Sequence, residues 1–165
     1  MKAASAKTVC RLQIQGLGDY TPEQLASYRF GIRFAYLACV AIAAIGIWFA
    51  HIPTLFVLAV IAFGTVILPN HPFDYLYNYV VRHIVGRPPI PRRTPQTKFA
   101  CGVATIWLLV TIYLFNTGSI VSGQIFGAGL VGVGALVGLT DICIPSMIYN
   151  LMTKRKVNPF AGERN

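Results

Sequence analysis

FACGVATIWLLVTIYLFNTGSIVSGQIFGAGLVGVGALVGLT, residues 99–140, decides the fold. It holds no charged side chain. Its two apolar runs, Cys101–Phe115 and Ile125–Leu139, are separated by a short neutral connection, Asn116–Gly123. A helix that crosses a bilayer needs about 20 mostly apolar residues. With their flanks the two runs approach that length, so the stretch reads as a transmembrane hairpin with helices near 99–116 and 122–141. Towards the N-terminus, Tyr36–Ala50 and Leu55–Leu68 repeat the pattern and predict helices near 33–51 and 54–69. Pro53 and Pro69 bracket the second of these and leave about 15 residues for a ~30 Å slab. That helix either thins the bilayer or continues past a proline. A hairpin that does not fully cross is the alternative.

The expected fold is thus an all-α integral membrane protein with four transmembrane helices arranged as two hairpins. Composition agrees. The 165 residues are 55% hydrophobic and only 12% charged, with mean hydropathy +0.60, whereas a soluble domain carries about 25% charged residues. No apolar run before residue 30 is long enough for a secretory signal, so Met1 is expected to remain on the chain. Four cysteines without a Cys-x-x-Cys spacing do not describe a disulfide scaffold.

Charge gives the orientation. The segment through Arg33 holds Lys2, Lys7, Arg11, Arg29 and Arg33. Residues 70–98 hold Arg82, Arg87, Arg92, Arg93 and Lys98, and the tail holds Lys154, Arg155, Lys156 and Arg164. The connections around His51–Thr54 and Asn116–Gly123 carry none. The positive-inside rule makes the basic set cytoplasmic, which gives a multi-pass protein of the inner (cytoplasmic) membrane with both termini inside. The net charge of +9 then reflects insertion and contact with anionic phospholipids. No nucleic-acid recognition motif accompanies it. The chain divides into an N-terminal arm (1–32), a first hairpin (33–69), a central connector (70–98), a second hairpin (99–151) and a basic tail (152–165).

Within the arm, Thr21-Pro22-Glu23-Gln24 has the pattern of a helix start with a capping box. That helix is expected to run into the first span, with Gly31 as a bend. The preceding VCRLQIQGLGD is too short to fold alone and is expected on the headgroups or on a partner. In the connector, Phe73, Leu76, Tyr77, Val80 and Ile84 fall on one helical face, which predicts an amphipathic helix lying in the interface between helices two and three. The following GRPPIPRRTPQTK reads as a semi-rigid strap. Arg82, Arg87, Arg92, Arg93, Lys154, Arg155 and Lys156 are the candidates for lipid headgroups or a partner.

Small residues mark two faces. Gly123, Gly127, Gly134 and Gly138 share one side of the last helix; Ala35, Cys39, Ala43, Gly46 and Ala50 share one side of the first. Such stripes let helices approach closely in lipid. Asp141, near the basic edge of the last span, has Arg29, Arg33 and Lys98 as candidate ion-pair partners. Cys39, Cys101 and Cys143 share a depth, and Cys143 and Cys101 are the candidate redox residues; small apolar packing is the other reading. No histidine sits at mid-membrane, so no metal site or cofactor is expected in the chain. A pigment or lipid would be met only through a partner.

The stretches NHPFDYLYNYVVRHIVGRP and TPQTKFACGV resemble a bacterial family described as domain of unknown function 4395, over roughly residues 30–151. The resemblance implies a small integral membrane protein with paired spans and no established activity. Members often end the last helix in Cys-x-x-Cys, where this chain has Cys143-Ile144-Pro145-Ser146. The first thiol is kept and the second is a serine, which weakens the implied sulfur chemistry.

No paired carboxylates, nucleotide loop or catalytic triad appears, and no enzymatic activity is expected. Three readings follow. The first is an accessory or assembly subunit of a larger respiratory or photosynthetic membrane complex, with other integral membrane subunits as partners. The second is a membrane thiol or sulfur-handling protein that uses Cys143. The third is a small transporter.

Overall fold

The computed structural model describes residues 4–154. The described residues are helical, with no strand. The elements are α1 (Ala6–Ile14), α2 (Pro22–Trp48), α3 (Ile52–Ile67), α4 (Pro72–Leu76), a π turn (Tyr77–Val81), α5 (Arg82–Val85), α6 (Pro95–Asn116), α7 (Ile120–Thr140) and α8 (Ile144–Met152). Three helices, α2, α6 and α7, are long and apolar enough to cross a membrane. Helix α3 has 16 residues and reaches the same standard only together with Pro72–Val85, to which it is bent by 84°.

The helix starts follow from their caps. Thr21 accepts from the amide of Gln24 while the Gln24 side chain accepts from the amide of Thr21, with Pro22 in the first helical position. Helix α2 then runs unbroken for 27 residues, about 40 Å at 1.5 Å per residue. It overshoots a ~30 Å hydrocarbon layer, so its first turns stand outside it. Gly31 is not the expected bend. Its missing side chain leaves room for the Tyr77 ring and for Ile90, which a Cβ there would meet at 2.6 Å.

Helices α2, α3, α6 and α7 form a ring in which α2 touches α3 and α7, and α6 touches α3 and α7; α8 returns along α6. The glycines of α7 explain the α2–α7 contact. Gly127 receives Ile47, Gly134 receives Val40 and Gly138 receives Leu37, each near enough to meet an added Cβ at 2.7–2.8 Å. Gly123 instead receives Phe115 from α6. On α2, Gly46 receives Leu55 of α3, and Ala35 and Ala43 are buried. Both small-residue faces are therefore filled from within the chain. Ala50 closes the α2–α3 turn with a positive φ of 47°.

Two regions differ from expectation. The N-terminal arm folds onto the bundle rather than standing apart. Leu12 and Leu17 join Leu25, Ile32, Tyr77 and Ile90 in a buried cluster at the basic end, and the arm's carbonyls at Ile14 and Gln15 accept from Asn150 and Thr94. The expected amphipathic face of residues 73–84 is divided. Tyr77 and Asp74 turn inward, fully buried, while Leu76, Val80 and Ile84 remain exposed. The π turn at Tyr77–Val81 accounts for this, since it inserts extra backbone and breaks the 3.6-residue register.

Candidate functional site

A buried ion pair and a nearby cavity make up the site. After α3 ends, His71 and Asp74 form a reciprocal cap: the Asp74 carboxylate accepts from the His71 amide at 3.0 Å, and His71 Nδ1 accepts from the Phe73 amide at 3.1 Å. The strap is pinned by the Arg93 amide donating to Pro69 O and by the Ile90 amide donating to Asn78 Oδ1. Those anchors place Arg93 against Asp74. Its Nε donates to Oδ2 at 2.6 Å and its Nη2 donates to Oδ1. Side-chain exposure is 6% for Arg93 and 0% for Asp74. The Arg93 guanidinium also lies 5.1 Å over the Tyr36 ring. Arg93 is thus not the headgroup contact the strap's sequence suggests. A carboxylate already fixed as a helix cap draws it inward, whereas neighbouring Arg92 stays exposed.

His71 and Tyr36, which touch this pair, also line a cavity of about 130 Å³ with an almost wholly apolar lining. Cys39 and Tyr36 of α2, Cys101 and Trp107 of α6, His71 and Cys143 all contribute to its walls. The three cysteines are not joined by disulfides, and the charge of Arg93 reaches each of them. His71 Nδ1 is used as an acceptor, so in the neutral ring the proton sits on Nε2 and is offered to Cys39 Sγ at 3.6 Å. Among the described residues no group of three or more His, Cys, Asp or Glu side chains has a metal-binding arrangement.

Cys143 is the N-cap of α8, with Pro145 in its first turn. Ser146, three residues on, donates its hydroxyl to Cys143 Sγ at 3.0 Å, and both side chains are buried. The sulfur therefore receives a hydrogen bond at the positive end of a helix dipole, an arrangement that favours thiolate. Burial opposes it and leaves the Cys143 thiol above its ordinary pKa, with Ser146 and Arg93 pulling the other way.

Asp141 belongs to a separate cluster. It ends α7 in the left-handed conformation, φ 63°, and its carboxylate receives Arg29 Nη2 at 2.7 Å and Arg33 Nε at 2.8 Å. The carbonyls freed at the helix end are also met: Arg33 donates to Leu139 O, Arg11 to Thr140 O and Gln15 to Asp141 O. Lys98 takes no part, a correction to its place among the candidates: it lies in the first turn of α6, while the Asp141 carboxylate is met by two arginines of α2. Arg82 and Arg87 are half-buried, and Arg87 lies 5.3 Å over the Phe30 ring. Lys154 is exposed; Arg155 and Lys156 lie outside the described residues.

The Asp74–Arg93 pair and the role of His71 were not among the sequence-derived candidates. The signal available was His71-Pro72-Phe73-Asp74, a cap spacing with one of only five acidic residues at its third helical position.

His71 gives the site a pH dependence. Burial and the charge of Arg93 hold its pKa down to about 4, against an opposing pull from Asp74 and an ordinary value of 6.5. Between these values the unfolded chain binds the proton and the folded chain does not. Stability is therefore full above about pH 6.5 and falls as the pH drops towards 4. Unfolding midpoints in mild detergent should be lower at pH 5 than at pH 7, and a His71→Gln variant should lose most of that difference.

The family model described as Domain of unknown function (DUF4395) matches residues 29–154. No curated protein and no solved structure matches the chain.

Proposed function

We propose, for a chain that belongs to the DUF4395 family, that it is a four-span membrane thiol protein in which Cys143 is the nucleophile. The observation that carries this reading is Cys143 Sγ at the start of α8, hydrogen-bonded by Ser146 and facing a cavity shared with Cys101 and Cys39. The Cys143 thiolate attacks one sulfur of a partner's disulfide. The partner's S–S bond breaks, a mixed disulfide forms, and the departing sulfur leaves as a thiolate that takes a proton. Cys101 then attacks the Cys143 sulfur, closing an internal disulfide and releasing the partner's second thiol. Arg93 and the Ser146 hydroxyl stabilise negative charge on sulfur during both exchanges. The short α3 crosses by thinning the bilayer, and the positive-inside rule keeps both termini in the cytoplasm.

The test is thiol–disulfide exchange of the detergent-purified protein with a small aromatic disulfide, followed by absorbance. Cys143→Ala should abolish the fast phase. Ser146→Ala should slow it about tenfold, the effect of one lost hydrogen bond to a charged atom. A fast phase that survives in folded Cys143→Ala removes the reading.

A second reading, an accessory subunit of a larger membrane complex, is favoured by the exposure of Tyr79, Ile84 and Arg92 in the connector between α3 and α6. Its partners would be other membrane subunits and anionic phospholipids. Purification in mild detergent tests it: stoichiometric companion chains support it, and a lone monomer opposes it.

A further inference from the structure

Burial limits what can reach the sulfur assigned as nucleophile. Cys143 is 2% exposed and Cys101 is 8% exposed. A disulfide on the surface of a folded protein cannot approach either one. Both cysteines contribute to the cavity wall, so the way to them is through the cavity, and its character selects what enters.

Size is the first restriction. The volume of about 130 Å³ is a little below that of the ~150 Å³ apolar cavities that accept benzene, which sets a limit of about six non-hydrogen atoms. Charge is the second. The lining is almost wholly apolar, and Arg93 and Asp74 are paired with each other and absent from it. An ion entering would lose its hydration and gain no counter-charge. The third restriction is the route. Of the wall helices, α2, α6 and α7 are long and apolar enough to span a membrane, and the residues beside the cavity on the outer face of α6, Ile106 and Leu109, are exposed and apolar. Entry between these helices therefore leads from lipid.

We propose that the substrate of Cys143 is a small, uncharged molecule with an S–S bond, drawn from the bilayer into this cavity. The proposal rests on the thiol reading of Cys143 and names its disulfide partner as a lipid-soluble small molecule rather than a protein. Cys143 attacks one sulfur of the substrate. The substrate S–S bond breaks, a mixed disulfide forms, and the first small thiol leaves with the proton from Cys143. Cys101 then attacks the Cys143 sulfur, and the second small thiol leaves with the proton from Cys101. Two protein S–H groups and one substrate S–S bond become one protein S–S bond and two small thiols. The substrate is itself the oxidant, and no further electron acceptor takes part.

The experiment uses the reduced full chain in mild detergent and follows the Cys101–Cys143 disulfide by peptide mass spectrometry. The rate with each reagent is divided by its rate with decanethiol in the same micelles, which removes differences in partition and intrinsic reactivity. Diethyl disulfide should form the bond and release ethanethiol. Cystamine, of similar length with an ammonium group at each end, should be slower by about 100-fold after that division, because its charges find no partner in the cavity. Dicyclohexyl disulfide, uncharged but too large, should also lag. Ala104→Phe, which narrows the cavity from its wall, should slow diethyl disulfide about tenfold by overpacking. Equal normalised rates for diethyl disulfide, cystamine and dicyclohexyl disulfide in the unaltered chain overturn the proposal and leave the thiol reading standing, since Cys143 would then be reached by another route. Failure of every reagent to form the bond in the folded protein overturns both.

Discussion

Asp74→Ala should destabilise the folded protein by about 3–5 kcal/mol, the scale for breaking a buried ion pair by removing one partner. The effect comes from what remains. Arg93 is 6% exposed with its guanidinium against Asp74, and without the carboxylate it is an uncompensated buried cation. The substitution also removes the acceptor for the His71 amide, a cap worth about 1 kcal/mol. The two contributions separate experimentally. Asp74→Asn keeps an oxygen for the cap and removes the charge, so it should lose most of the stability that Asp74→Ala loses. The double variant Asp74→Leu with Arg93→Met should recover much of it, because two apolar residues often replace a buried pair at no net loss. Chemical denaturation in mild detergent measures all three. If Asp74→Ala and the double variant unfold at the same denaturant concentration, Arg93 is not confined as described.

The pair also shows what the sequence could and could not tell. Apolar runs and alternating charge located the helices, because hydropathy reports the medium directly. The exact number of crossings is less legible: α3 is short, and α3 with Pro72–Val85 meets the span criterion only as a bent pair. Asp141 was legible because a carboxylate at a helix end within reach of Arg29 and Arg33 has few other options. Arg93 was not. Arg92 and Arg93 are adjacent in an extended strap, and composition cannot say which of two neighbours turns inward. The choice is made by Pro69 O, which fixes the Arg93 backbone, and by Asp74, which fixes the charge. The shared depth of Cys39, Cys101 and Cys143 was readable from position in the helices, whereas a cavity between them depends on side-chain volumes across four helices. The arm and the divided face of residues 73–84 escaped for a related reason. A π turn has no sequence signature of its own, and an arm of nine helical residues is stabilised only by the surface it meets.

That divided face supports the other large effect, at Tyr77 and Gly31. Tyr77 is fully buried and packs against α2, where Gly31 has no side chain. Tyr77→Ala should cost about 3–5 kcal/mol, as for other large aromatic-to-alanine changes in packed interiors. Gly31→Ala acts from the opposite side. Its new methyl would stand 2.6 Å from the Tyr77 ring and from Ile90 Cγ2, an overpacking that costs about 1–3 kcal/mol. Higher helix propensity returns about 1 kcal/mol of that. The decisive measurement is the double variant. If the close approach of ring and backbone is the cause, the space vacated by Tyr77 accommodates part of the methyl, and Gly31→Ala with Tyr77→Ala should lose less stability than the two single changes added together. A coupling of about 1–2 kcal/mol is expected for residues in such contact. Strict additivity would mean that Gly31 serves the backbone of α2 alone, and that the π turn is held inward by Ile90 and Arg93 without it.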